Sequence, residues 1–351
     1  MQPIKTALAS FGMSGKLFHA PFLDVHPGFQ FFAVWERTKN LASEIYPSVK
    51  TVRSFEEIIE DNEVELVIVN TPNSTHFELT KQALNAGKHV VVEKPFTVNS
   101  KEAEELVDLS RKTNRILSVY HNRRFDSDFQ TVKKLIDEGW LGETVEAEIH
   151  FDRYKEELSY KQHKETPSPG TGMVFDLGSH LIDQALVLFG KPDAVFADIA
   201  IMRPISKVDD YFELILYYPR HRVRLRASYQ VREPLPGFTI HGSRGSFLKS
   251  RADVQEADLL AGKKPGSPDW GREPESEKGL LHTERDGKII REQIPTIAGN
   301  YGLYYDGVYK AIRNSEALPV SGEDGLNIIK IIETAFTSNR ERKVIDTRDL
   351  F

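Results

Sequence analysis

From Lys5 to about Asn122 the hydrophobic positions come in short continuous runs, at Thr6–Ala9, Phe29–Trp35, Glu65–Asn70, His89–Glu93 and Ile116–Tyr120. Amphipathic stretches of helical length separate them. Short apolar runs without alternation are what strands covered on both faces look like. Their alternation with helices predicts βαβ units and a parallel sheet. Thr75-x-x-Glu78 reads as a capping box opening one helix, which stops before Gly87. A second helix follows Asn99, where Lys101–Lys112 is rich in good helix formers.

After Asn122 the texture changes. A helix over Phe129–Glu138 leads into "ETVEAEIHFDRY", whose apolar and polar residues alternate as in a strand with one wet face. "DYFELILYYP", "RVRLRASYQV" and both arms of "FTIHGSRGSFLKS" read the same way. Several long strands with few helices between them predict an antiparallel sheet. The expected fold is an α/β Rossmann domain over residues 1–122, then an α+β domain over 123–351 with a large, mostly antiparallel open sheet. Glu157–Gly172 and Ala252–Lys278 read as irregular surface excursions.

Composition narrows the function. With 351 residues the chain has room for two domains, and with no cysteine, thiol catalysis and cysteine-ligated zinc are excluded. No apolar run is long enough to span a membrane, and the start enters a strand with no signal-peptide pattern, so a cytoplasmic setting is expected. The net charge of −6 argues against nucleic acid as the main partner. Arg222, Arg224 and Arg226, alternating with apolar residues, then read as the wet face of a sheet.

The first strand runs into "TALASFGMSG", where the dinucleotide spacing G-x-G-x-x-G appears as Ser10-x-Gly12-x-x-Gly15. Gly12 occupies the position that lets the backbone approach a pyrophosphate, and Gly15 the position that allows close helix packing. Ser10 is small enough for the turn. Phe11, Met13 and Ser14 complete a loop whose amides, at a helix start, suit a phosphate. Glu36, ending "FFAVWE", stands where an acidic residue binds the ribose hydroxyls of NAD, while Arg37 beside it suits the 2′-phosphate of NADP. The cofactor is therefore NAD or NADP.

"HVVVEKPFT" places Glu93 and Lys94 at the carboxyl end of a buried strand, where open α/β sheets bind ligands. Such a lysine polarises a substrate oxygen, or caps a strand and reaches water. In "FDLGSHLIDQALVLFG", Asp176, His180 and Asp183 fall at i, i+4 and i+7, on one face of an otherwise apolar helix. Histidine takes a proton from an alcohol near neutral pH and a carboxylate one turn away orients it; a structural His–Asp bond is the competing reading. No further ligand cluster supports a metal. In "YHNRRFDSDF", Arg123 and Arg124 suit substrate hydroxyls or a phosphate, or pair with Asp126 and Asp128. Tyr301, Tyr304 and Tyr305 read mainly as packing residues.

Together these residues resemble the glucose–fructose oxidoreductase, inositol dehydrogenase and MocA family of nicotinamide-dependent sugar and polyol dehydrogenases, over nearly the whole chain. The likeness runs through Gly12 and Gly15, "NTPNSTHF", "EKP" at Glu93–Pro95, "DLGSHLIDQAL" and "IHGSRGSF". "GMSGKLFHAPFL" and "YHNRRFDSDF" are similar to the branch containing the NADP-dependent scyllo-inositol dehydrogenases. The resemblance implies Lys94, Asp176 and His180 as catalytic residues, with the secondary alcohol bound between Lys94 and His180. His180 accepts the hydroxyl proton, Lys94 stabilises the oxyanion and Asp176 holds a neighbouring hydroxyl. It implies cofactor contacts at Thr71, Pro72, Asn73 and His76, substrate contacts at Asn122, Arg123 and Arg124, and a homo-oligomer through the second-domain sheet. A nicotinamide-binding sensor without turnover, or a redox-cycling glycoside hydrolase or lyase, are the alternatives.

Overall fold

The computed structural model describes residues 2–159 and 162–351, with the side chains of 162 and 163 left out. Residues 160 and 161, within the Glu157–Gly172 stretch, lie outside the described residues. The chain forms two compact units: Met1–Asn122 with Gln255–Trp270 and Asn300–Ile329, and Arg123–Val254 with Gly271–Gly299 and Lys330–Phe351.

The first unit holds a six-stranded sheet of β1 (Ile4–Leu8), β2 (Phe29–Trp35), β3 (Lys50–Val52), β4 (Leu66–Val69), β5 (His89–Glu93) and β6 (Leu117–Tyr120). All neighbours are parallel, in the order β3-β2-β1-β4-β5-β6. This is the doubly wound order, whose direction reverses between β1 and β4, where such sheets take ligands. Every residue of β4 is buried, as its unbroken Leu-Val-Ile-Val run requires. Among its helices are α1 (Ala20–Val25), α2 (Leu41–Ile45), α3 (His76–Asn85) and α4 (Ser100–Thr113). Asn99 caps α4 by accepting the Glu102 amide, at 2.9 Å. The expected box at Thr75 does not form. Its hydroxyl instead donates to the Pro72 carbonyl and meets the Thr71 hydroxyl, holding the turn ahead of α3 rather than the helix amides.

The two later segments of this unit contribute to its core: within Ala252–Lys278, Gln255, Leu259 and Trp270 are buried, while most of the stretch between them is exposed, in line with its surface reading. Gln255 accepts the Trp270 indole N–H and the Tyr301 amide through one oxygen. Tyr301, Tyr304 and Tyr305 are at most 1% exposed, and Phe22 stacks on Tyr305 with ring centroids 5.2 Å apart. These rings act as packing residues.

The second unit is built on nine strands: β7 (Thr144–His150), β8 (Ala194–Ala200), β9 (Tyr211–Tyr217), β10 (Arg222–Ser228), β11 (Phe238–Gly242), β12 (Gly245–Lys249), β13 (Gly279–Arg285), β14 (Lys288–Ile294) and β15 (Ile345–Asp346). Their order is β14-β13-β12-β11-β7-β10-β9-β8-β15. Every pair is antiparallel except β7–β10. In β8 and β9 buried and half-exposed residues alternate strictly. On the half-exposed face Arg224 meets Glu146 and Glu148, each at 3.0 Å, so the arginine stripe belongs to an ion-paired sheet face. Helices α5 (Ser127–Asp137) and α6 (Ser179–Phe189) belong to this unit, and α6 packs on β7 and β10. Among the described residues no helix is long and apolar enough to cross a membrane.

Candidate active site

At the switch point the serine is explained by its partner. The Ser10 amide donates to Asn70 Oδ1, its hydroxyl to the Asn70 carbonyl, and Asn70 Nδ2 donates back to the Ser10 carbonyl, all at 2.9 Å. Three bonds join the ends of β1 and β4, and Ser10 needs no positive φ to make the turn. Gly12 and Gly15 do not need one either. Their role is closeness. A Cβ at Gly15 would lie 2.6 Å from the Ser10 carbonyl oxygen, whereas one at Gly12 would meet only Ser10 Oγ, at 3.9 Å. Gly12 therefore keeps an open floor for a pyrophosphate, and the loop fits a dinucleotide. Beside it lies a cavity of about 610 Å³ whose wall includes Phe11, Gly12, Met13, Arg37, Thr38 and Lys39.

Glu36 also touches this cavity but is only 8% exposed. Its two oxygens accept the amides of Leu41 and Ala42, at 3.1 and 3.0 Å, closing the N-terminus of α2. Arg53 fixes the same loop by donating to the carbonyls of Glu36 and Lys39 and to Asn40 Oδ1, at 2.8, 2.6 and 2.6 Å. Arg37, Thr38 and Lys39 are thus held on the cavity wall while the carboxylate between strand and loop is engaged with backbone.

At the end of β5, Lys94 is half-buried and is followed by a cis peptide to Pro95. Glu93 accepts the Lys94 amide at 3.2 Å and faces His19 Nε2 at 3.1 Å. Burial pushes the Glu93 carboxyl up, but the His19 hydrogen bond and the charges of His19 and Lys94 outweigh it and hold it below the usual range. His19 is fully buried, and its Nδ1 lies 2.9 Å from the Tyr305 hydroxyl, which also donates to the Phe18 carbonyl. A π-helical turn over Gly15–His19, directly after the glycine loop, carries this histidine. Asn70 and His19 were not singled out in the sequence. A histidine one turn beyond the glycines, two residues before a proline, was the available signal. His76 is also fully buried, between the carbonyls of Thr71 and Pro95 at 2.9 Å each, and burial pushes its pKa down. Its ring lies between the turn after β4 and the turn after β5, and when neutral it donates to one of the two carbonyls. Thr71 and Asn73 are half-buried and Pro72 is exposed on that turn.

In the second unit the expected helix begins as a π-helical turn, Val174–Gly178, before α6. Asp176 lies on the π turn and His180 on the first turn of α6, so the three-residue face is not one continuous α-helical stripe. Asp176 is 2.8 Å from Lys164 Nζ, and His180 is 4% exposed. Asp183 is drawn away from the group by Arg124, whose Nε lies 2.9 and 3.0 Å from its two oxygens. Arg123 pairs with Asp126 at 3.3 Å, and Gln184 donates to the Arg123 carbonyl. Asn122, at the end of the first unit, is 7% exposed. Asp209, almost wholly buried, accepts the Val174 amide at 2.8 Å and so caps the π turn; burial raises its pKa to about 6.

A parallel sheet in doubly wound order with a glycine turn at its switch point defines a dinucleotide-binding domain, here followed by a second unit built on a mostly antiparallel sheet. Residues 4–121 match the oxidoreductase family with an NAD-binding Rossmann fold, and residues 133–347 match that family's C-terminal alpha/beta domain. The chain belongs to this GFO/IDH/MocA oxidoreductase family. It is 40% identical to the NADP(+) scyllo-inositol 2-dehydrogenase IolW of Bacillus subtilis, over 97% of this chain and 95% of that one. It is 37% identical to the uncharacterised oxidoreductase YdgJ of Escherichia coli, over 97% and 98%. A crystal structure of a Bacteroides fragilis protein superposes with a TM-score of 0.91 at 48% identity, covering 98% of this chain and 100% of that one. A Bacillus cereus oxidoreductase superposes with a TM-score of 0.90 at 32% identity, covering 98% of each.

Proposed function

We propose that the protein is an NADP-dependent dehydrogenase of a polyol or sugar secondary alcohol, with Lys94, Asp176 and His180 as its catalytic residues. The observation carrying the cofactor choice is the engagement of Glu36 with the α2 amides, which leaves Arg37, Thr38 and Lys39 to meet a 2′-phosphate. The naming of IolW as an NADP(+) enzyme supports the same choice. The amides after Gly12 hold the pyrophosphate, with Thr71, Pro72 and Asn73 on the neighbouring turn. The bound nicotinamide supplies the hydride acceptor or donor. Lys94 stabilises the oxyanion that forms as the hydroxyl loses its proton. His180 takes that proton, and Asp176 holds an adjacent hydroxyl. His76 serves as a brace for the Lys94 turn rather than as a direct cofactor contact.

The half-exposed face of the nine-stranded sheet, with Phe196, Tyr211, Ile215 and Tyr217, supports a homo-oligomer through that face. A cysteine-free chain suits a reducing cytoplasm. The test is absorbance of reduced nicotinamide with NADP or NAD and a panel of inositols, alditols and hexoses. Reduction of NADP in preference to NAD with a member of the panel is expected. No reduction with any pair, despite cofactor binding, overturns the dehydrogenase reading.

A further inference from the structure

Beyond β7 the chain continues extended alongside the continuation of β10. Phe151 donates to the Arg226 carbonyl, Arg153 to that of Ser228 and Lys155 to that of Tyr229, all at 2.9 Å. A period of two puts the side chains of Phe151, Arg153 and Lys155 on one face of this segment. The Arg153 guanidinium lies over the Phe151 ring, 4.9 Å from its centroid, and the Lys155 ammonium over the Tyr229 ring, at 5.3 Å. Rings attract these heads without cancelling their charge.

Asp176 and Glu165, the carboxylates within electrostatic reach of Lys155, are paired with other cations, Asp176 with Lys164 and Glu165 with Arg203, and beside Arg153 Asp152 meets His150. Arg203, 2% exposed, takes Asp210 and Glu165 at 2.9 and 3.5 Å. Among the described residues neither Arg153 nor Lys155 forms an ion pair. Arg203 also donates to the Glu157 carbonyl at 2.9 Å, and so fixes the loop that carries Lys155. The loop backbone is braced, Lys155 is exposed on it, and the pair has positive charge to spare. Asp176 is within electrostatic reach of Lys155 and of Tyr229, the ring that also feels Arg153, so both cations lie in the neighbourhood of this proposed substrate-binding carboxylate. Burial and then the Arg153 charge push the Lys155 pKa down, a cost that a bound anion removes.

We propose that Arg153 and Lys155 form an acid-group subsite beside Asp176, so that the substrate is a polyol or sugar bearing a carboxylate or a phosphate. This rests on the dehydrogenase reading of the same site, and it adds the chemical class of the substrate.

The experiment compares acid and neutral partners of one skeleton with NADP: gluconate and glucuronate against glucitol and glucose, glucose 6-phosphate against glucose, and an inositol phosphate against the inositol. One acid series should exceed its neutral partner in kcat/KM by about 10- to 100-fold, the usual worth of charge-assisted hydrogen bonds. The sugar acids and the phosphates separate the two sources. Arg153→Met and Lys155→Met, which keep the apolar stems over their rings, should lower kcat/KM for the acid at least 10-fold more than for its neutral partner. Calorimetric titration of the same pairs gives a readout that needs no turnover. Tighter binding of the acid that the double variant abolishes supports the subsite even if no panel member is oxidised. Neutral partners that bind and react as well as their acids, or variants that weaken both equally, overturn it.

Discussion

Arg37 stands one residue beyond a carboxylate already held by backbone amides, and that neighbour decides its task. An acidic residue repels a 2′-phosphate when its oxygens face the ribose. Here both Glu36 oxygens accept N–H groups of α2, and the opening turn of a helix is where negative charge is best accommodated. Arg37→Ala is expected to raise KM for NADP by about 10- to 100-fold with much less change for NAD, since a charge-assisted bond to phosphate is worth roughly 1.5–3 kcal/mol. Steady-state kinetics with both cofactors measures this, and equal losses for the two would remove Arg37 from the phosphate site. Lys94→Ala and His180→Ala are each expected to lower kcat by orders of magnitude while NADP still binds, because both are proposed to act on the reacting hydroxyl. Stopped-flow turnover beside fluorescence titration of the cofactor separates the two effects, and near-normal kcat in either variant would remove that residue from the mechanism.

At the scale of elements, β5 and β6 are joined through a histidine that must stay neutral. His89 Nδ1 accepts the Ile116 amide at 3.1 Å, which requires an unprotonated nitrogen there. Burial, then the Arg115 charge, lowers the His89 pKa to about 4. Between that value and the ordinary 6.5 the unfolded chain binds the extra proton, so this stability is fully present above pH 6.5 and is lost as pH falls toward 4. The difference is worth roughly 3 kcal/mol. Urea unfolding of wild type and His89→Gln from pH 7 to pH 4 should show the wild type losing about that much more. Parallel acid limbs would count against it. The alternating apolar runs made β2, β5 and the parallel sheet legible, because a strand covered on both faces has few other ways to be written. The hairpin of β13 and β14 was missed, although Asp286 and Gly287 carry its turn with φ of 53° and 70°. Its outer strand is almost wholly exposed, so no hydrophobic rhythm announces it. The catalytic candidates were legible as motifs, whereas the Glu36 cap was not: a carboxylate five residues before a helix looks the same whichever way it turns.

For the whole molecule, the amphipathic face of the nine-stranded sheet carries the prediction of assembly. Ile215→Lys places a like charge opposite Arg224 and among half-exposed rings, and light scattering should show a smaller particle than the wild type. An unchanged mass would move the subunit contact elsewhere. The two units also differ from the order in which the chain is written. The first sheet is complete by Tyr120, yet Phe22 stacks on Tyr305, and Trp270 and Tyr301 share Gln255 as a hydrogen-bond partner. During synthesis, then, the cofactor half emerges with part of its wall missing. At the usual 5–20 residues per second, about 10–40 s separate Asn122 from Tyr305 leaving the ribosome. Throughout that interval Phe22 lacks the Tyr305 ring that stacks on it, so any first sheet formed on the ribosome has an open aromatic seam.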